Sequence, residues 1–164
     1  MKVLITGTRG QLGKALIQLK PLGINVIPTT REEFNLENLE QCKKFLINNQ
    51  PDWVINAAAY TAVDNAEFEK DKAMQINAEA PRLIAETLKK IGGNLLQIST
   101  DFVFDGNQSY PYRPEDKTNP INLYGKSKLS AEKLIRETFQ NNNQYIILRT
   151  SWVIGPSGKN FLTT

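Results

Sequence analysis

The feature that most constrains this chain is a repeated alternation of short apolar runs with amphipathic helical patterns. The strand-sized runs are Lys2 to Ile5, Asn25 to Ile27, Trp53 to Ile55, Asn94 to Ile98 and Tyr145 to Leu148. Between them apolar residues recur at helical spacing: Leu12, Ala15, Leu16 and Leu19, then Leu39, Cys42, Phe45 and Leu46. A longer helix is predicted from about Ala66 to Lys90, with Ile76, Ala80, Leu83, Ile84, Thr87 and Leu88 on one face. Another is predicted from about Asn122 to Phe139, with Ala131, Leu134, Ile135 and Thr138 inward. Parallel strands need a crossover that returns the chain to the same end of the sheet, and a helix is the usual one. The pattern therefore predicts an α/β domain with a doubly wound parallel sheet of the Rossmann type. Pro21 and Gly23 end the first helix, Gly92-Gly93 close the third, and Pro81 predicts a kink or a restart. The Pro-, Gly- and Asn-rich stretch from Asp105 to Pro120 reads as an active-site loop. After Arg149 the pattern weakens, and Ser151 to Thr164 offers no complete further element.

A length of 164 residues suits one domain, read here as a nucleotide-binding unit over 1–164 whose pattern breaks off after about residue 150. The formal charge of +3 is spread without a dense basic run, which gives little support to a nucleic-acid partner and leaves room for a phosphate-bearing ligand. No apolar stretch reaches membrane-spanning length and the N-terminus lacks a signal-peptide core, so no membrane partner and a cytoplasmic location are expected. Cys42 is the single cysteine, expected in the core, and no internal disulfide can form. With no histidine in the chain, acid/base chemistry must fall to Tyr, Lys, Asp, Glu or a thiol. Ser-His-Asp hydrolysis and His-ligated zinc are removed, and no metal-ligand set is read.

Between the first strand and the first helix lies Gly7-Thr8-Arg9-Gly10-Gln11-Leu12-Gly13. A turn this tight needs positive φ, a pyrophosphate needs bare backbone at close approach, and a helix N-terminus supplies amide donors with partial positive charge. Gly7, Gly10 and Gly13 would serve those needs, although the spacing differs by one residue from the common G-x-G-x-x-G fingerprint. The second strand runs into Pro28-Thr29-Thr30-Arg31, with no carboxylate where NAD would place its ribose hydroxyls and with Arg31 and Arg9 near a 2′-phosphate position. NADPH is the favoured cofactor and NADH remains open, because Glu32 or Glu33 could turn inward and Arg31 could be merely solvated.

Tyr124-Gly125-Lys126-Ser127-Lys128 sets a phenol and an ammonium one turn apart on the same helical face. A ketone reduced by hydride must receive a proton, which Tyr124 can donate; a fixed cation such as Lys128 favours the phenolate and can bind ribose hydroxyls. Alone the spacing is common on solvated helices. It gains weight from the glycine turn and from Ser99-Thr100 at the end of the fourth strand, since the C-terminal edge of an open α/β sheet is where ligands bind. Thr100 there can hold the substrate oxygen beside Tyr124.

These motifs resemble those of the extended short-chain dehydrogenases, most closely the dTDP-4-dehydrorhamnose reductases. The resemblance is carried by the glycine turn, Asn56-Ala57-Ala58-Ala59-Tyr60-Thr61-Ala62-Val63-Asp64, Ile76-Asn77-Ala78-Glu79-Ala80-Pro81, Ser99-Thr100-Asp101-Phe102-Val103-Phe104-Asp105-Gly106, the Tyr124 to Lys128 segment and Arg149-Thr150-Ser151-Trp152. It implies NADPH- or NADH-dependent reduction of the 4-keto group of a dTDP-sugar, for surface polysaccharide. By the same resemblance Tyr124, Lys128 and Thr100 are the catalytic set, and Gly10, Gln11 and Leu12 form the pyrophosphate turn. Asn35 and Leu36 contact the adenine, while Ala58, Ala59, Tyr60 and Ile98 line the cofactor, although small residues there would equally serve close packing. Thr100, Asp101 and Trp152 are implied on the side of a nucleotide-sugar substrate, and a homodimer is compatible with the resemblance. Family members continue past this length with a C-terminal substrate lobe. A piece of a longer enzyme, a split protein and a natural remnant are thus all open. So are a non-catalytic module akin to the regulatory subunit of methionine adenosyltransferase, and an epimerase or dehydratase on another nucleotide sugar.

Overall fold

A computed structural model describes residues 1–140 and 142–155; the sequence-based expectations for 156–164 lie outside the described residues. The parallel strands β1 (Lys2–Thr6), β2 (Asn25–Pro28), β3 (Trp53–Asn56), β4 (Asn94–Thr100) and β5 (Tyr145–Thr150) form one sheet in the order β2-β1-β3-β4-β5. The chain leaves β1 in one direction to make β2 and returns to the other side of β1 to make β3. The crevice between β1 and β3 is therefore a topological switch point.

Strand register separates two kinds of row. Leu4, Val54 and Leu95 are paired across β1, β3 and β4, and all are fully buried. They face α2 (Leu39–Asn49), α5 (Ala80–Ile91) and α6 (Leu123–Phe139), whose Cys42, Leu46, Ile84, Leu88, Ile135 and Phe139 complete the main core. Cys42 is buried as expected; its thiol donates to Asn35 O at 3.1 Å and burial pushes its pKa up to about 12. The opposite row, Ile5, Ile55, Leu96 and Ile146, lies on the side of α1 (Gln11–Gln18). With α1 over one end of that face only, Ile146 and Leu148 of β5 stay exposed.

Three expectations are corrected. Leu19 caps α1 and is 80 % exposed instead of continuing its inward stripe, because the helix stops one residue earlier. The strands β1 and β3 run past their last apolar residue into Thr6 and Asn56, which are buried and hydrogen-bonded, while β4 ends at Thr100 as read from the sequence. The long helix predicted from Ala66 is divided into α3 (Val63–Ala66), α4 (Lys70–Met74), a π-helical turn (Gln75–Glu79) and α5. Pro81 sits in the first turn of α5. Its missing N–H and its ring prevent the ordinary helical bond to Asn77 O, and the wider π turn absorbs the mismatch without a break.

The stretch after β4 begins with a 3₁₀ turn (Asp101–Val103) and continues as an irregular but tied loop. Asp105 accepts from Tyr112 Oη at 2.8 Å and from Asn119 Nδ2 at 3.0 Å, and Tyr112 stacks on Phe104. This is order imposed by side chains where regular structure stops.

Ile84 is fully buried in the main core cluster. Ile84→Ala is expected to destabilise the fold by about 2–5 kcal/mol in equilibrium urea denaturation, through lost burial and a residual cavity. A change below about 1 kcal/mol would remove Ile84 from the core.

Candidate functional site

At the switch point the chain makes contacts that tolerate no Cβ. Gly7 has φ +67°, and a Cβ there would meet the Ala58 backbone at 2.9 Å; at Gly13 it would meet Gly7 O at 2.3 Å. The β1–α1 turn, the first turn of α1 and the turn after β3 thus lie backbone against backbone. Gly10 N donates to Gly7 O at 2.9 Å and closes the turn. Gly10 is also the N-cap of α1, whose first turn holds no acidic side chain, so the positive end of its dipole is not offset from within the helix.

A buried polar ladder fixes the neighbouring strand ends. Thr6 Oγ1 accepts from Ala58 N at 3.1 Å and donates to Asn56 Oδ1 at 2.6 Å; Asn56 Nδ2 donates to Gln97 Oε1 at 2.8 Å, and Gln97 Nε2 to Ile98 O at 2.8 Å. Such groups are costly in a core unless every one is bonded, and among the described residues no buried side-chain polar atom lacks a partner.

Above these strand ends opens a cleft of about 680 Å³. One wall is Gly7, Arg9, Gly10 to Gly13 and Ala57 to Ala59; the other is Ile98 to Phe102, Tyr124, Lys128, Thr150 and Trp152. The structure thereby gathers most of the residues marked by sequence into one space. A smaller recess of about 150 Å³ shares Gly7, Ala58 and Ala59 with it and holds Arg31, Asn35 and Leu36. Arg9 pairs with Glu32 at 2.8 Å and Arg31 with Glu37, while Glu33 accepts from Thr30 N at 2.9 Å. Tyr60 does not line the cleft: its hydroxyl donates to Glu69 at 2.5 Å and Lys72 lies 5.8 Å over its ring. The backbone of Tyr60 is held at both N and O by Asn77.

The second wall depends on how α6 is seated. Asn122 caps it, accepting from Gly125 N at 2.7 Å, and a Cβ on Gly125 would lie 2.2 Å from Phe102 O. That contact presses the start of α6 onto the 3₁₀ turn and sets the Tyr124 ring edge-on to Phe102, 5.7 Å between centroids. Lys128 is 3 % exposed, and its Nζ donates to Ile98 O at 2.7 Å. Burial lowers its pKa to about 8, against an opposing pull from the Glu132 carboxylate. The pKa of Tyr124 is raised, chiefly by burial and further by Asp101, with a Thr100 hydrogen bond opposing. This differs from the expectation that Lys128 would draw it down: removal of the phenol from water is the larger effect here. Thr100 Oγ1 donates to Asp101 Oδ1 at 3.1 Å, and Asp101 Oδ2 accepts from Ser151 Oγ at 2.7 Å. Trp152 stands at the rim with φ +49°, mostly exposed.

Residue-level reasoning assigned no role to Asn77, Ser127, Glu132 or Arg149. Asn77 Nδ2 donates to Tyr60 O and to Ser127 Oγ, each at 3.0 Å, and Ser127 Oγ donates to Tyr124 O at 2.7 Å, so the π turn is tied to the start of α6. The available signal was an Asn inside an apolar helical stripe. Glu132, buried beneath the second wall, is ion-paired with the half-buried Arg149.

Over residues 1–164 the chain matches the family described as the RmlD substrate binding domain. It is 42 % identical over 164 residues to the dTDP-4-dehydrorhamnose reductase of Burkholderia thailandensis, covering 100 % of this chain and 54 % of that protein. The crystal structure of a dTDP-4-dehydrorhamnose reductase from Clostridium acetobutylicum superposes with a TM-score of 0.92 at 42 % identity, over 99 % of this chain and 57 % of that one. The Bacillus anthracis dTDP-4-dehydrorhamnose reductase, solved in complex with NADP, gives 0.91 at 39 % identity, over 98 % and 57 %. The chain spans about half the length of the relatives it matches. With its whole length matched and its fold shared, the chain belongs to the RmlD substrate binding domain family.

Proposed function

We propose that the protein carrying this chain is an NADPH-dependent dTDP-4-dehydrorhamnose reductase, and that this chain supplies its cofactor cleft and its proton donor. The observation that carries the reading is the meeting of Tyr124, Lys128 and Thr100 on one wall of a cleft whose other wall is the glycine turn. The turn fits a dinucleotide: its glycines let the turn dock close to Ala58 and Gly7 O, and the N-terminal end of α1 lines the cleft. Gly7, Gly10, Gln11, Leu12 and Gly13 would hold the pyrophosphate, Asn35 and Leu36 the adenine end, and Ala58, Ala59 and Ile98 the middle of the cofactor. Arg9 and Arg31 are the cations available to a 2′-phosphate, each exchanging its carboxylate partner for it. NADH would use the same pyrophosphate turn without that exchange.

When bound, the dihydronicotinamide supplies a hydride to the keto carbon. Tyr124 supplies the proton: its raised pKa keeps the phenol protonated at neutral pH, the state a donor to the developing alkoxide needs. Thr100 orients the keto oxygen toward Tyr124. Lys128, with a pKa of about 8, is mostly an ammonium at pH 7 and compensates the phenolate left after transfer. Asp101 and Trp152 are assigned to the nucleotide-sugar side. A cytoplasmic location and a role in polysaccharide synthesis accompany this reading. The complete Tyr, Lys and Thr set favours an enzyme over a non-catalytic binding module.

In the full-length enzyme Tyr124→Phe is expected to lower turnover about 10²- to 10⁴-fold with NADPH affinity nearly intact by calorimetry; retained turnover would overturn the assignment. Gly13→Ala forces the turn away from Gly7 O and should weaken NADPH binding at least about tenfold, roughly 1.4 kcal/mol. Unchanged affinity would remove the turn from the cofactor site. Reductive turnover should fall as pH rises through about 8, where Lys128 loses its charge, and a profile flat to pH 10 would contradict that role.

A further inference from the structure

A charged pair with no place in the chemistry above lies directly under the second wall. Tyr124, Lys128 and Glu132 follow one another at helical spacing on α6, so Glu132 shares a face with the two groups of the site. Its side chain is 2 % exposed and accepts from three donors: Ser99 Oγ at 2.6 Å, Arg149 Nε at 2.9 Å and Arg149 Nη2 at 2.6 Å. Arg149, on β5, spends its remaining reach on the loop after β4. Its Nη1 donates to Pro114 O at 3.0 Å, and its guanidinium lies 5.0 Å over the Phe104 ring. One carboxylate therefore ties α6, the end of β4, β5 and the loop together.

We propose that Glu132 and Arg149 are positioning residues for the keto-reduction site, a buried brace that holds Thr100, the loop after β4 and the ammonium of Lys128 in one working arrangement. The proposal rests on the reductase reading for the reaction that the brace serves. Its physical argument is independent of that reading. A buried carboxylate paired with a half-buried guanidinium is costly to desolvate, and well-packed apolar residues of similar size commonly do as well or better for stability. A pair retained in that position is better explained by what it orients. Ser99 is the residue before Thr100, and its hydroxyl is anchored on Glu132, so the direction of the strand end is set by the carboxylate. The two-point contact from Arg149 satisfies Glu132 without drawing in Lys128, whose Nζ is bonded to Ile98 O at the cleft.

The charged and titratable groups around Lys128 come from each packed element. They are Tyr124, Glu132 and, paired with Glu132 at 3.9 Å, Arg136 on α6, Asp101 after β4, and Arg149 on β5; the π turn contributes the neutral Asn77. Among them Glu132 is the one whose field opposes the burial of Lys128. It keeps charged an amine that burial alone would push further toward neutrality.

The test uses the full-length protein and two variants, Glu132→Gln and the apolar double variant Glu132→Met/Arg149→Met. The readouts are thermal unfolding, the Lys128 titration followed by NMR of ¹³C-labelled lysine side chains without cofactor, and steady-state kcat and KM. The brace predicts a folded double variant in which the Lys128 midpoint falls below about 8 and kcat at pH 8 drops about tenfold or more. KM for the sugar nucleotide should stay within about threefold. A folded double variant with wild-type midpoint and wild-type kcat would overturn the proposal, leaving a purely structural pair. If the double variant does not fold, Glu132→Gln decides: it removes the charge with little change of shape, and a wild-type midpoint there is equally fatal. Should the wild-type protein fail to reduce the sugar while Glu132 removal still lowers the Lys128 midpoint, the reductase reading falls and the brace stands.

Discussion

The structure depends on one close approach, the docking of α1 and the β1–α1 turn against the turn that follows β3. Gly13 beside Gly7 O and Gly7 beside Ala58 bring three backbone segments together at distances a side chain would prevent. That approach aims the N-terminal end of α1 at the switch point between β1 and β3, which makes the crevice a place for an anion. The ladder from Thr6 through Asn56 to Gln97 then locks the strand ends laterally, so the two walls of the cleft keep a fixed separation. Polar residues do this better than apolar ones, because directional bonds specify register and position where packing alone permits sliding.

Much of this fold is legible in the sequence, since hydrophobic periodicity records which face of each element is buried. The order of strands and helices and the glycine turn follow from that pattern and from turn chemistry. The ends of β1 and β3 do not. Thr6 and Asn56 look like loop residues locally, and they are strand because they are buried against one another across the sheet. Leu19 misled for the opposite reason: its helical spacing is right, but nothing among the described residues covers it there. The division of the long helix was foreshadowed by Pro81, although only the structure reveals a π turn that turns Asn77 inward as a link between Tyr60 and Ser127.

The site shows the same division. Tyr124, Lys128 and Thr100 could be marked because a chain without histidine has few other candidates and because spacing and strand ends are linear properties. Tyr60 could be marked as well, but not aimed; its backbone and side chain point to different places, and spacing alone does not distinguish them. Glu132 and Arg149 were illegible for a deeper reason. A charged residue on a helix or at a strand end is ordinarily solvated, and its burial depends on a partner distant in sequence.

Burial moves the two groups of the pair in opposite directions, and under the proposed reduction both movements matter. The Tyr124 phenol is held protonated, and the Lys128 amine is pushed toward neutrality to about 8. A proton donor gains from the first change, since the phenol keeps its proton, and stays neutral, until an alkoxide develops. The second change works against the site, because a neutral amine would leave the nascent phenolate uncompensated in a low-dielectric cleft. Under that proposal, the depth that keeps Tyr124 protonated creates a need for a nearby negative charge to keep Lys128 cationic. On the proposed brace, Glu132, buried one turn beyond Lys128 and held in place by Arg149, supplies that charge while the ammonium stays bonded to Ile98 O.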